Sequence, residues 1–266
     1  FLTHQGIDRY NGKEIKHYKL TDNDTNIDPQ TNLDWIYVDK KGVLWVVGRK
    51  GRIFQYDSGH DRFNMVYRLP RFRGKESLRG IDCGFLDRNN RIWLCYKDSI
   101  TLYDTQTGKI AQLRTHNERD ITSVEQMDDT HFFIGTTEGL FQAELNGETL
   151  RRIPCPAIDS IRSPINELYF HPATLKLFIG TFREGVFIYD FLNPRKICMD
   201  VSLNDVMITR ITALNKEEVL IATDGQGVYR VNTDSCLAVP YIVANYNSYN
   251  EMNGNNINDV YVDEEQ

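Results

Sequence analysis

The sequence predicts an all-β fold, a β-propeller of four-stranded antiparallel blades. Three observations predict it: a motif that returns every 40 to 48 residues, short apolar stretches parted by turn residues inside each return, and no segment with a convincing helical period. The motif is Leu44-Trp45-Val46, Ile92-Trp93-Leu94, Phe132-Phe133-Ile134, Leu177-Phe178-Ile179 and Val219-Leu220-Ile221. Its middle residues stand at 45, 93, 133, 178 and 220, so the steps are 48, 40, 45 and 42.

Each unit reads as four strands. The first opens on an aliphatic residue twelve before the anchor (Leu33, Ile81, Ile121, Ile208), or thirteen in the fourth unit, where Ile165 marks a one-residue insertion. A hairpin turn follows at Asp39-Lys-Lys-Gly42, Asp87-Arg-Asn-Asn90, Asp128-Asp129, His171-Pro172 and Asn215-Lys216. The anchor strand comes next, then a turn and a third strand at 51–57, 99–104, 139–144, 185–190 and 227–232, and a fourth strand closes the unit. The predicted blades are 30–77, 78–119, 120–162, 163–206 and 207–254, in a single domain spanning 1–266. Residues 1–29 read as a partial blade and 255–266 as the first strand of a further one. Pairing of 257–262 with the strand beginning at Phe1 would close a six-bladed ring; the rival is an arc of a larger propeller.

Composition sets the outer bounds. The chain has 266 residues, 41% hydrophobic and 26% charged, which suits a globular protein and excludes a disordered tail. It carries no apolar run long enough to span a membrane. Phe1 and the residues after it lack a signal-peptide pattern, so the chain is expected to be cut from something longer. A net charge of −6 makes a general nucleic-acid binder a poor reading. The five cysteines form no CxxC and are odd in number, which fits buried thiols better than a disulfide framework. No catalytic motif or zinc spacing is present, so no catalytic residue, metal or cofactor is expected.

The segment Asn256-Ile-Asn-Asp-Val-Tyr-Val-Asp263, the run Asp39-Lys-Lys-Gly-Val-Leu-Trp45 with Tyr56-Asp57, and the pairs Ile134-Gly135-Thr136…Gly139-Leu140 and Ile179-Gly180-Thr181…Gly185-Val186 resemble the regulator-propeller repeat. Cys95-Tyr96-Lys97 and Val47-Gly48-Arg49 depart from its Gly-Thr step. Such repeats form the periplasmic sensor regions of hybrid two-component systems in gut Bacteroidetes. The resemblance implies a non-enzymatic periplasmic sensor segment of an inner-membrane protein. Further propellers, an immunoglobulin-like domain and a histidine kinase would share the longer chain, an oligosaccharide would be the signal, and a homodimer is the implied assembly. The alternatives are a structural or protein-interaction propeller with ligand bound elsewhere in the chain, and a propeller hydrolase or lyase.

Two repeat positions stand out as candidate ligand contacts. Ten before the anchor lie Trp35, Cys83, Ser123, Arg210 and, by register, Asp259, with Glu167 in the shifted fourth unit. One position earlier are Asp34, Asp82, Thr122, Asn166, Thr209 and Asn258, all small and polar. In a propeller the first strand lies innermost, so these positions are expected to ring the mouth of the central channel. There they either hydrogen-bond backbone and channel water, or line a pocket in which Trp35 stacks on a sugar ring. Arg49 and Lys50, with Arg71 and Arg73 in a connection of five basic residues and one acid over 68–79, are expected on the same face. If functional, that patch fits an anionic group such as a uronate or sulfate. The candidate contacts are therefore Trp35, Asp34, Asp82, Arg210, Arg49, Lys50, Arg71 and Arg73. The asparagine-rich connection at 245–256 reads as a solvated loop.

Overall fold

The computed structural model describes residues 1–3, 6–18, 20, 33–70, 80–97, 99–113, 120–194, 197–244 and 254–263, with 197–202 by backbone alone. Arg71, Arg73 and most of the 245–256 connection lie outside them. The chain divides into two compact units, 1–114 and 115–266.

The first unit holds three antiparallel sheets. One has three strands, β1 (Leu2–Thr3), β2 (Gly6–Tyr10) and β3 (Ile15–Tyr18). The next is β4 (Leu33–Val38), β5 (Leu44–Gly48), β6 (Arg52–Asp57) and β7 (Arg62–Arg68), and the third is β8 (Cys83–Leu86), β9 (Arg91–Tyr96), β10 (Ser99–Asp104) and β11 (Ile110–Leu113). In the second unit β12 (Ile121–Gln126), β13 (His131–Thr136), β14 (Gly139–Asn146) and β15 (Thr149–Ile153) form one sheet. A single-turn helix, α1 (Pro156–Asp159), leads to β16 (Ile165–His171), β17 (Lys176–Thr181), β18 (Glu184–Asp190) and β19 (Ile197–Asn204). The last sheet is β20 (Met207–Ala213), β21 (Glu218–Asp224), β22 (Gly227–Asn232) and β23 (Ala238–Ile242). Every sheet runs in sequence order, strand beside next strand, which is the blade of a β-propeller.

The anchors occupy one structural position. Trp45, Trp93, Phe133, Phe178 and Leu220 pair with Tyr37, Phe85, Glu125, Tyr169 and Thr212, each four residues after the aliphatic residue that opens its blade. All five are at most 4% exposed. They and their neighbours fill the seams between consecutive sheets, as where Trp45 and Val47 meet Ile92, Leu94 and Tyr103. The insertion in the fourth blade is taken up in the 172–175 hairpin, where Leu175 adopts a left-handed φ of 52°.

The repeat's turn residues have definite tasks. Asp39 lies buried and accepts the N–H groups of Lys41 and Val43 and the Trp45 indole Nε1–H at 3.0 Å. Asp87 does the same for Asn89, Arg91 and Trp93. At the other end of the anchor strand, the hydroxyls of Thr136, Thr181 and Thr223 donate to the carbonyls of Gly139, Gly185 and Gly227. Each of those hydroxyls also accepts a turn N–H. The Gly before Thr answers to the neighbouring blade: a Cβ on Gly180 would stand 2.6 Å from Cγ2 of Ile208, and one on Gly135 2.6 Å from Cγ2 of Ile165.

Among the described residues, 257–262 form no strand, unlike the first strand expected there, and β1 belongs to a three-stranded sheet with β2 and β3. Asn256 instead bridges to Asp224, and the Ile257 N–H donates to the Thr223 carbonyl at 2.9 Å. A first strand has its ladder only when an anchor strand lies beside it; without that partner the segment keeps its contacts with the preceding turn and with the side chains of β20.

Candidate functional site

The first strands share an irregularity that places the candidate residues. Pairing to the anchor strand slips between Leu33 and Trp35, Ile121 and Ser123, Ile165 and Glu167, and Ile208 and Arg210. The skipped residues, Asp34, Thr122, Asn166 and Thr209, are therefore one-residue bulges, and a bulge frees its residue from the ladder and re-aims its side chain. Three of them reach forward to the next blade. Thr122 Oγ1 donates to the Ile165 carbonyl at 2.6 Å, Asn166 Nδ2 to the Ile208 carbonyl at 2.6 Å, and Thr209 Oγ1 to the Ile257 carbonyl at 2.5 Å.

In the first unit that position carries an acid, which cannot donate to a carbonyl. Asp34 pairs with the Arg49 guanidinium instead, while Asp82 accepts the Lys97 N–H at 3.2 Å. Trp35 stands beside this pair, half-buried, against the core between the two sheets. Its ring lies so close over Gly84 that a Cβ there would come within 2.8 Å of it. The indole is thus braced by the backbone of β8. Arg49 is itself held from behind, since its carbonyl accepts the Ile81 N–H at 2.7 Å, but its side chain is 59% exposed. Lys50 follows in the same turn, half-exposed. Asp34, Trp35, Arg49, Lys50 and Asp82 therefore belong to one end of the sheets β4–β7 and β8–β11.

Arg210 belongs to the second unit. Its guanidinium meets Glu167 Oε1 at 3.3 Å and Asp259 Oδ1 at 3.4 Å, which joins the equivalent positions of three successive repeats into a ladder. Glu167 is mostly buried. Burial pushes its carboxyl up to about 7, with Arg210 opposing and Asp259 adding to the rise. Glu167 and Asp259 were not among the expected contacts of Arg210; the repeat register, which places all three in one slot, was the signal that could have found them.

Chemically, a braced indole next in sequence to a carboxylate paired with a guanidinium can stack on a sugar ring and hydrogen-bond its hydroxyls. Glycoside hydrolysis asks for something else, namely two carboxyl groups with room for the scissile bond between them. Between Glu167 and Asp259 the Arg210 guanidinium fills that space. Among the described residues no group of three or more His, Cys, Asp or Glu could hold a metal ion.

No family model matches the sequence, and no curated protein does. Solved structures do. The extracellular domain of BT3049 from B. thetaiotaomicron, assigned to the hybrid two-component systems, aligns with 99% of this chain at a TM-score of 0.71 and 18% identity. The extracellular domain of BT4673 from the same organism aligns with 88% at a TM-score of 0.57 and 18% identity. The WD40 domain of Neurospora crassa Pan2 aligns with 80% of the chain and 66% of its own length, at a TM-score of 0.58 and 10% identity. The chain spans about a third of the two bacterial domains, 35% and 36%. At these identities the likeness is one of fold.

Proposed function

We propose that this chain is a periplasmic sensor segment of a hybrid two-component system, which binds an oligosaccharide and helps to pass that signal to a histidine kinase in the same longer protein. The observation that carries the reading is the fold likeness of nearly the whole chain to the extracellular domain of BT3049. The braced Trp35 ring with Asp34 and Arg49 beside it supports a sugar as the ligand. The exposed Arg49, with Arg71 and Arg73 nearby in sequence, favours an acidic one. Ligand would act by differential affinity: whichever arrangement of propellers or of a dimer binds sugar better gains population, and the kinase equilibrium follows.

Calorimetry of the purified chain against acidic and neutral oligosaccharides tests this. An acidic oligosaccharide should bind more weakly as salt rises, and Arg49→Ala should remove most of that salt dependence. Trp35→Ala should weaken binding roughly tenfold. A structural reading of Trp35 has its own support in the packing of the ring against the core between sheets. It predicts that Trp35→Ala lowers stability and that no oligosaccharide gives heat.

A further inference from the structure

The third sheet, β8–β11, departs from the repeat twice. Where the other blades carry Trp35, Ser123, Glu167 and Arg210 it has Cys83, and where they carry Val47, Gly135, Gly180 and Ala222 it has Cys95. These two departures face each other. Cys83 and Cys95 are directly opposed partners on the antiparallel strands β8 and β9. Both are free thiols, 6% and 0% exposed. The blade also lacks the threonine that fastens the following turn in the three sheets of the second unit, with Tyr96 in its place as Gly48 is in β5.

We propose that Cys83 and Cys95 are a disulfide site, closed across the first two strands of this blade by a partner disulfide while the chain folds. Opposed residues of an antiparallel pair have Cα atoms about 4.5 or 5.5 Å apart, and both spacings lie inside the ~4.4–6.8 Å that a disulfide spans. Directly opposed side chains leave the same face of the sheet, so no strand has to turn. The hydrogen bond to Cys83, and then burial, push the Cys95 thiol well above its ordinary value. A protonated, covered thiol is a poor nucleophile, which places the step before β9 is covered. The thiolate of one cysteine attacks a sulfur of the oxidant, an oxidised dithiol–disulfide oxidoreductase or a small disulfide. The second cysteine then displaces that sulfur. Two S–H bonds are lost and one S–S bond forms in this chain; the oxidant's S–S bond breaks and takes up both electrons and both protons. In the cell the step rests on the periplasmic placement proposed above, because a reducing cytosol would keep the pair open. The bond ties two strands whose following turn, unlike those of the second unit, has no threonine.

The test is refolding from denaturant in a mixture of oxidised and reduced glutathione, then alkylation of the unfolded chain and peptide mapping. It involves no sugar, so it stands or falls apart from the sensing reading. The proposal expects Cys83 and Cys95 to escape alkylation, a cross-linked peptide lighter by two hydrogen atoms, and a Tm that falls when reductant is added. Cys83→Ser should return Cys95 to the alkylated set, and Cys95→Ser should do the same for Cys83. Labelling of all five cysteines after oxidative refolding, or cross-links spread over other pairs, overturns it.

Discussion

Asp87 is a carboxylate with no solvent exposure whose acceptors are all in use: two turn N–H groups, the Arg91 guanidinium and the Trp93 indole N–H. Replacing it by Ala would leave the buried Trp93 indole N–H and three part-buried donors without that partner, at a cost of about 2–4 kcal/mol. Urea unfolding should show this as a lower midpoint. Asp39, placed alike, has its carboxyl held below the usual range: burial opposes ionisation, but the Val43 N–H, the Trp45 indole and further donors outweigh it. At Asp128 burial is likewise outweighed, by the Thr130 N–H and the His131 ring and N–H, and the carboxyl sits at about 2. For both groups the folded value lies below the unfolded one, near 4. Their stabilisation is therefore complete above ~pH 4 and lost as pH falls through the folded values, to about 2 for Asp128. Glu167 has the opposite sign. With its folded value raised to about 7, the folded state holds the proton longer, so stability is lost as pH rises from ~4.5 to 7. Glu167→Gln should flatten the melting temperature across that window and leave the acid limb unchanged. A fall between pH 5 and 7 that persists in the variant would exclude Glu167 as its source.

At the scale of the element, the Gly-Thr…Gly step couples two contacts. Thr223→Val should cost about 1 kcal/mol, because its hydroxyl bonds the turn at 2.7 and 3.1 Å. Gly180→Ala should cost about 1–3 kcal/mol, and pairing it with Ile208→Ala should be less than additive, since the truncation removes the Cγ2 that the new methyl meets. Gly139→Ala should be worse, about 3–5 kcal/mol. Its φ is +130° and a Cβ would stand 2.2 Å from the Ile161 carbonyl, which is backbone and cannot step aside. Chemical denaturation of the single and double variants ranks the three. Much of this pattern was legible in the sequence, because a hydrophobic anchor and its turn lie within a few residues of each other. The bulge at Asp34, Thr122, Asn166 and Thr209 was not, although the polar slot itself was. A bulge is a relation between two strands, and a list of residues in one strand does not contain it. The strand expected at 257–262 failed for a related reason: its alternation is strand-like, but the ladder needs a partner.

Across the whole chain, all three tryptophans, Trp35, Trp45 and Trp93, lie within residues 1–114. Intrinsic tryptophan emission therefore follows the first unit, whereas far-ultraviolet circular dichroism follows every sheet. In a repeat protein each module draws its stability from itself and its immediate neighbours, so a weakened module need not melt the rest. Gly180→Ala, in the second unit, should shift the circular-dichroism transition to lower urea and leave the emission transition behind. Coincident shifts of both probes would mean that the chain unfolds as one cooperative body. The fold class could be read at this scale from the spacing of 45, 93, 133, 178 and 220. Arg210's partners were harder to see, because Glu167 and Asp259 stand 43 and 49 residues away, one blade to either side.

Thr122, Asn166 and Thr209 each give their hydrogen bond to the blade that follows, at a backbone carbonyl that every residue type supplies. This has a consequence for inheritance. A gene segment one repeat long, wherever it is cut, carries one donor and one acceptor, and copied in tandem it restores a complete fastening at each new joint. Blades can then be gained or lost by unequal crossing-over without any new contact having to arise first. What such a lineage must keep is a short donor side chain at the bulge. Where an acid replaces it, as at Asp34 and Asp82, the joint is relieved of that inherited duty, and the position is open to a different use.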